Sequence, residues 1–159
     1  MRLVVAIVAT LLAGCSAYRL GGPKPAFSRL EIGVVRNATS RAGTHAVLQQ
    51  KLAEAFAGDP RIQVGPGGAK LDVEVVKYTR EGLTTKPGDA YVFATFRATF
   101  VVRCTLTTAD GRALFRDRDF TASASLQPSG DVIAQEHGLD GPLFADIAAQ
   151  VREAATTAW

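Results

Sequence analysis

The chain has 159 residues, 47% of them hydrophobic and 21% charged, which is ample core-forming material for one globular domain and excludes a disordered polar chain. A formal net charge of +3 makes it mildly basic, and without a Lys/Arg run or an aromatic–basic motif that charge does not argue for nucleic acid. Two cysteines and two histidines are a thin inventory for metal or nucleophilic chemistry.

The chain opens with Arg2 and the apolar run Leu3 to Leu12, followed by Ala13, Gly14 and Cys15. About ten apolar residues are too few to span a bilayer as a helix but suit the core of a signal peptide, here residues 1–14. Leu12-Ala13-Gly14-Cys15 also resembles a bacterial lipobox. By that resemblance Cys15 becomes the lipidated N-terminus, and Ser16 after it implies sorting to the outer membrane. Residues 15–28, rich in Gly and Pro at their end, read as a tether between lipid and domain. The domain itself is expected over 29–159.

A short strand is expected from Arg29 to Val35, with Leu30, Ile32 and Val34 inward. After the polar connector Asn37–Thr44, a helix is expected from Thr44 to Ala57, its buried face formed by Leu48, Leu52, Ala55 and Phe56. Gly58-Asp59-Pro60 ends it, and Ile62 and Val64 mark a second short strand. Strand, helix, strand over this length predicts a crossover with the two strands parallel. Another strand follows from Lys70 to about Arg80: Leu71, Val73 and Val75 face one way, Val76 and Tyr78 the other, and the doubled valine permits a bulge. Gly82 to Ala90 reads as a connection too long for a two-residue turn.

The longest pattern is Tyr91 to Thr107. Its even positions, Val92 through Leu106, form an unbroken apolar row, while its odd positions become Thr and Arg after Tyr91 and Phe93. At roughly 3.3 Å per residue it spans on the order of 50 Å, so it needs long neighbours, bends, or ends that project. Asp110-Gly111 turns it into a returning strand, Ala113 to about Leu126, whose parity Arg116 and Arg118 disturb near Asp117. The middle of the domain is therefore a three-stranded antiparallel meander. Ser129 or Asp131 can cap a helical segment from Val132 to His137, and a second begins at Asp140 or Gly141. Leu143, Ile147, Val151, Ala154 and Ala158 recur there at helical spacing, a face expected to cover the apolar row of the long strand.

No spacing required for metal or nucleophilic catalysis is present, and His45 and His137 read as solvated or capping residues. Cys104, in the apolar row, reads as a small buried hydrophobe. The remaining candidates are basic: Arg97 and Arg103 on the outer row of the long strand, with Lys77, Arg80 and Lys86 leading through the preceding hairpin. Arginine among threonines suits charge-assisted hydrogen bonds to phosphate or to a polar protein wall.

In order and spacing these features resemble the lipopolysaccharide-assembly lipoprotein LptE family. The resemblance is carried by Cys15 closely followed by Tyr18-Arg19-Leu20, a strand running into Asn37-Ala38-Thr39, and a helix ending in Gly58-Asp59-Pro60-Arg61 before Ile62-Gln63-Val64. It continues through Leu71–Val75, a long strand turning at Ala109–Phe115, and a C-terminal helix. It implies an α+β fold, a two-layer sandwich in which two helices pack on one face of a mixed four- to five-stranded sheet containing the meander. It implies a non-enzymatic role without cofactor or metal: a protein anchored in the outer membrane, facing the periplasm, that assembles with and plugs the LptD barrel and contacts lipopolysaccharide. Departures are Val34-Val35-Arg36 before the Asn-x-Thr stretch and the interruption of the last helix at Gly138 and Gly141-Pro142. An adaptor or activator of another envelope machine, such as a peptidoglycan synthase or a secretion pore, shares the early part of this pattern.

Overall fold

The computed structural model describes residues 24–127 and 129–157, except the side chain of Ala90. The expected signal peptide, Cys15, Tyr18-Arg19-Leu20 and Ala158 lie outside the described residues. The elements are β1 (Arg29–Ile32), β2 (Arg36–Asn37), α1 (Thr44–Ala57), β3 (Gln63–Val64), β4 (Ala69–Lys86), β5 (Asp89–Thr107), β6 (Ala113–Leu126), α2 (Val132–Gly138) and α3 (Asp140–Thr157).

The sheet runs in the order β3-β1-β4-β5-β6, with β2 paired to β4 farther along it. β1 is parallel to β3 and to β4, as the strand–helix–strand spacing requires, and β4, β5 and β6 form the antiparallel meander. Helix α1 lies over the parallel side, α3 over β5 and β6, and the two helices pack against each other. This is the expected α+β sandwich, with the helices on one face of a mixed sheet.

Its core is the alternate row of β5. Ala98, Phe100, Val102, Cys104 and Leu106 are buried together with Leu71, Val73 and Val75 of β4. Helix α1 contributes Leu48, Leu52 and Phe56, and α3 contributes Leu143, Phe144, Ile147, Val151 and Ala155. The rings of Phe100 and Phe144 meet at 4.6 Å and those of Phe100 and Tyr78 at 4.7 Å, tilted as their quadrupoles favour. The body of the domain starts within the end of the expected tether, where Pro25 is buried and Phe27 packs against the core.

Helix α1 has the expected bounds, but Gly58 behind it is right-handed (φ −72°) rather than the left-handed stop usual for glycine. Arg61 instead clamps Asp59 beyond the helix end, holding that carboxyl down at about 2. The C-terminal region divides as expected. Asp131 Oδ1 accepts from the backbone N–H groups of Ile133 and Ala134 to cap α2, and α3 starts afresh at Asp140.

Several expectations fail at single inserted residues. Between Ile32↔Leu71 and Arg36↔Glu74 the first strand advances four residues against three on β4, so its parity changes and it divides into β1 and β2. Val34, expected inward, is 89% exposed, and Val35 is the buried residue. The same happens at Val76: Val75 faces Val102, but Lys77 faces Val101. The doubled valine is indeed a bulge, and it returns Tyr78 to the core face, opposite Phe100, rather than to the outer face. On β6, three residues pass for two of β5 around Asp117, which sits at φ 46° with its N–H donated to Thr105 Oγ1. There the parity shift falls where Arg116 and Arg118 suggested it.

The hairpin between β4 and β5 differs most. Gly82 to Ala90 is not a loop: pairing continues to Lys86↔Asp89, closed by the two residues Pro87 and Gly88, the latter at φ +85°. The ladder simply runs on past the body of the domain. The division at Gly33 gives a direct test by urea unfolding. Val35→Ala should lower stability by about 2 kcal/mol, the order expected for a buried valine, whereas Val34→Ala should change it by no more than about 0.5 kcal/mol.

Candidate functional site

Because both helices lie on one side, the other face of the β4–β5–β6 meander is uncovered. Its cross-strand rows are Glu74–Arg103–Asp119, Lys77–Val101–Thr121, Thr79–Thr99–Ser123 and Glu81–Arg97–Ser125. Hydroxyls and charges thus alternate over a face with few apolar atoms. Arg103 donates through Nε and Nη2 to the two oxygens of Asp119, at 2.8 and 3.1 Å. That bidentate pair raises the arginine pKa and holds the Asp119 carboxyl below the usual range. Arg97 stands opposite Glu81, and Arg36 lies 3.7 Å from Glu74. Arg97 and Arg103 are therefore matched by Glu81 and Asp119 in their own rows, Glu74 adds a second carboxylate beside Arg103, and Lys77 has no acidic residue in its row. The face read from sequence as basic is close to neutral, with its arginines set in cross-strand pairs.

The five candidate basic residues do not form one cluster. Lys77, Arg97 and Arg103 share the outer face, whereas the bulge at Val76 carries Arg80 to the helix side. There its guanidinium lies 4.0 Å over the ring of Phe96, with Nε 3.6 Å from Glu136 Oε2. Lys86 closes the far end of the hairpin opposite Asp89.

That far end is the second exposed feature. Tyr91 is 95% exposed, and Val92 and Phe93 are 40% and 44% exposed. Between Thr84↔Thr95 and Thr85↔Phe93, β5 passes an extra residue, Ala94, so Phe93 turns to the helix side instead of continuing the outer row. Its ring lies on Gly82, where a Cβ would come within 2.3 Å of ring carbons, and meets Phe96 edge-on at 5.9 Å. Glycine is needed at 82 because an aromatic ring occupies the place of its side chain. At the opposite end of the ladder, Phe27, Arg29, Gly68, Thr108 and Arg112 line an open depression of about 400 Å³.

Sequence reasoning missed a buried ionic cluster that joins the connector, α2, α3 and β4. Arg41 Nε donates to Asp140 at 3.1 and 3.2 Å, and Nη1 donates to Glu136 Oε1 at 3.1 Å. Nη2 lies 3.0 Å from Asp140 Oδ1 but off the hydrogen-bond direction, and it is buried without a hydrogen-bond partner. The Tyr78 hydroxyl donates to Glu136 as well, and the Arg41 guanidinium stacks 4.7 Å over the tyrosine ring. Burial and that bond to Glu136 push the Tyr78 hydroxyl up to about 12. Burial alone would weaken the charge on Arg41, but its hydrogen bond to Asp140 and the surrounding acidic groups more than offset that and raise its pKa. Nothing local flags Arg41: its partners stand 95 and 99 residues away.

Among the described residues no group of three His, Cys, Asp or Glu side chains is placed to hold a metal. His45 is exposed on α1, and His137 Nδ1 lies 3.3 Å from Asp140 Oδ2 at the edge of the ionic cluster. Cys104 is fully buried, and burial pushes its thiol up to about 12.

The fold is shared with several solved bacterial proteins. An uncharacterized lipoprotein B from Nitrosomonas europaea superposes with a TM-score of 0.60 at 14% identity, covering 85% of this chain and 87% of that chain. A minor lipoprotein from Acinetobacter baumannii gives 0.55 at 17% identity over 79% and 90%. A protein from Xanthomonas campestris gives 0.59 at 15% identity over 88% of each chain. At such identities the likeness is one of fold. No protein family and no curated protein sequence matches the chain.

Two outcomes follow from the buried groups. Arg41→Met should lower unfolding free energy by about 3 kcal/mol in urea titrations, because it strips the buried Asp140 of its arginine and leaves Glu136 with Arg80 alone, at 3.6 Å. Cys104 should stay unmodified by a thiol reagent at pH 8 in the folded protein and react fully once the chain is unfolded.

Proposed function

We propose that this chain is an outer-membrane lipoprotein, anchored through Cys15 and facing the periplasm, that acts without catalysis as an assembly factor and plug of an LptD-like barrel in lipopolysaccharide transport. The observation that carries this reading is a shared fold joined to a motif. The domain takes the same form as lipoproteins of Nitrosomonas and Acinetobacter, and Leu12-Ala13-Gly14-Cys15 supplies the site for a lipid. Acyl chains on that cysteine would hold the protein firmly, since each buried methylene contributes about 0.8 kcal/mol.

The uncovered face suits a protein partner. Its rows of Thr, Ser and paired charges can exchange hydrogen bonds with a polar wall while requiring little apolar desolvation. Pairing of Arg103 with Asp119 favours a protein wall over an anionic glycolipid for this face, because the arginine already has its carboxylate. For the same reason an adaptor of another envelope machine, such as a peptidoglycan synthase or a secretion pore, stands as the second reading.

Purification of the full-length protein from its own envelope separates these readings. Recovery of an LptD-like barrel supports the first, and recovery of a penicillin-binding protein or secretion component with no barrel replaces it with the second. Cys15→Ser should move the protein out of the membrane fraction. Arg97→Glu combined with Arg103→Gln should reduce co-purification of the barrel roughly tenfold while leaving the melting temperature nearly unchanged. Undiminished recovery from that variant would show that the barrel meets another surface.

A further inference from the structure

The meander ends at β6, and beyond it the sheet has no further strand among the described residues. Which backbone groups point outward there follows from the hydrogen-bond phase. Across the β5–β6 turn, Thr108 N–H donates to the carbonyl of Arg112 at 2.9 Å. The even-numbered residues of β5, which carries no inserted residue from Ala98 to Thr107, therefore direct their N–H and C=O groups toward β6. Their partners Phe120, Ala122 and Ala124 are engaged with β5, and Thr121, Ser123 and Ser125 point away from it. A second contact agrees: Gln150 of α3 reaches over and donates to the carbonyl of Thr121 at 3.1 Å.

Edge strands are commonly guarded by charges, bulges or a cover. On β6 the charged and bulged guards are at the first half: Arg116, Asp117 with its bulge and positive φ, Arg118 and Asp119. From Phe120 to Leu126 the edge is regular and uncharged, and Gln150 meets one of its outward groups.

We propose that the Thr121–Ser125 edge of β6 accepts one extended segment of a partner protein as an added antiparallel strand. Donors and acceptors repeating every second residue along an extended line match another strand and little else. The segment carries uncharged residues, apolar at the positions beside Phe120, Ala122 and Leu126 and hydroxyl-bearing or small beside Thr121, Ser123 and Ser125. A lone segment suits this edge better than a second copy of the chain, which would bring its own helix layer. Paired strands sit about 4.8 Å apart, whereas neighbouring helices need 8–10 Å between axes, and α3 already lies over β6. A lone strand brings no such layer.

The chain supplies its own probe. A peptide with the sequence of residues 120–126 pairs with this edge antiparallel about Ser123, setting Phe120 beside Leu126, Ala122 beside Ala124 and Thr121 beside Ser125. Added to the full-length protein with a solubilising lysine pair, it should bind and slow amide exchange at Thr121, Ser123 and Ser125. Ser123→Pro should weaken binding at least about tenfold, because it removes the outward donor. That substitution leaves the β5–β6 ladder intact, since edge proline is tolerated where the N–H faces outward. Methylating the peptide's central serine nitrogen should abolish binding to the unaltered protein, and methylating its alanine nitrogens should not. This second arm holds even if Ser123→Pro fails to fold. Absence of peptide binding, or equal binding of both methylated peptides, overturns the proposal. So does self-association of the unaltered chain that Ser123→Pro removes.

Discussion

The burial of one alternate row of β5 organises this domain. Ala98, Phe100, Val102, Cys104 and Leu106 lie beneath α1 and α3 and beside the matching row of β4. Burying a large apolar side chain stabilises by about 1.5–3 kcal/mol, so a slip by one residue that exposed this row would forfeit most of the core at once. Register is therefore fixed in the centre of the ladder. Toward Asp89 the same strand outruns the helices, the row becomes exposed, and the pairing turns irregular.

Single inserted residues then decide what each face presents. The bulge at Val76 sends Tyr78 and Arg80 to the helix side, where they meet Glu136 from α2. Arg41 completes that cluster from a connector distant in sequence, tying the connector to α2 and α3. Its bonds are costly to break singly, since any one loss strands a buried charge. They also hold α2 over the apolar row near Phe96, the last part of that row with a helical cover.

Among the described residues three exposed surfaces are distinct in kind: a polar sheet face with nearly balanced charges, a projecting hairpin bearing Tyr91 and Phe93, and an uncharged strand edge on β6. These surfaces differ in the chemistry they offer. The face offers side-chain hydroxyls and paired charges, the hairpin offers aromatic area, and the edge offers backbone hydrogen bonds.

Much was legible in the sequence because it is local. Alternation over Tyr91–Thr107 determined the long strand and its buried row, helical spacing determined α1 and α3, and Asp110-Gly111 determined a turn. Local signals also placed the irregularities at Val76 and Asp117, where two patterns met. Tertiary structure alone decided the sidedness of Val35, Tyr78, Arg80 and Phe93, because the parity of a strand after a bulge is set by which neighbour it pairs with. It also decided that the arginines of the outer face have carboxylate neighbours. Arg103 and Asp119 are 16 residues apart, and only the register of β5 against β6 brings them to 2.8 Å. Composition records a charge, but the sheet determines whether that charge is left for a partner.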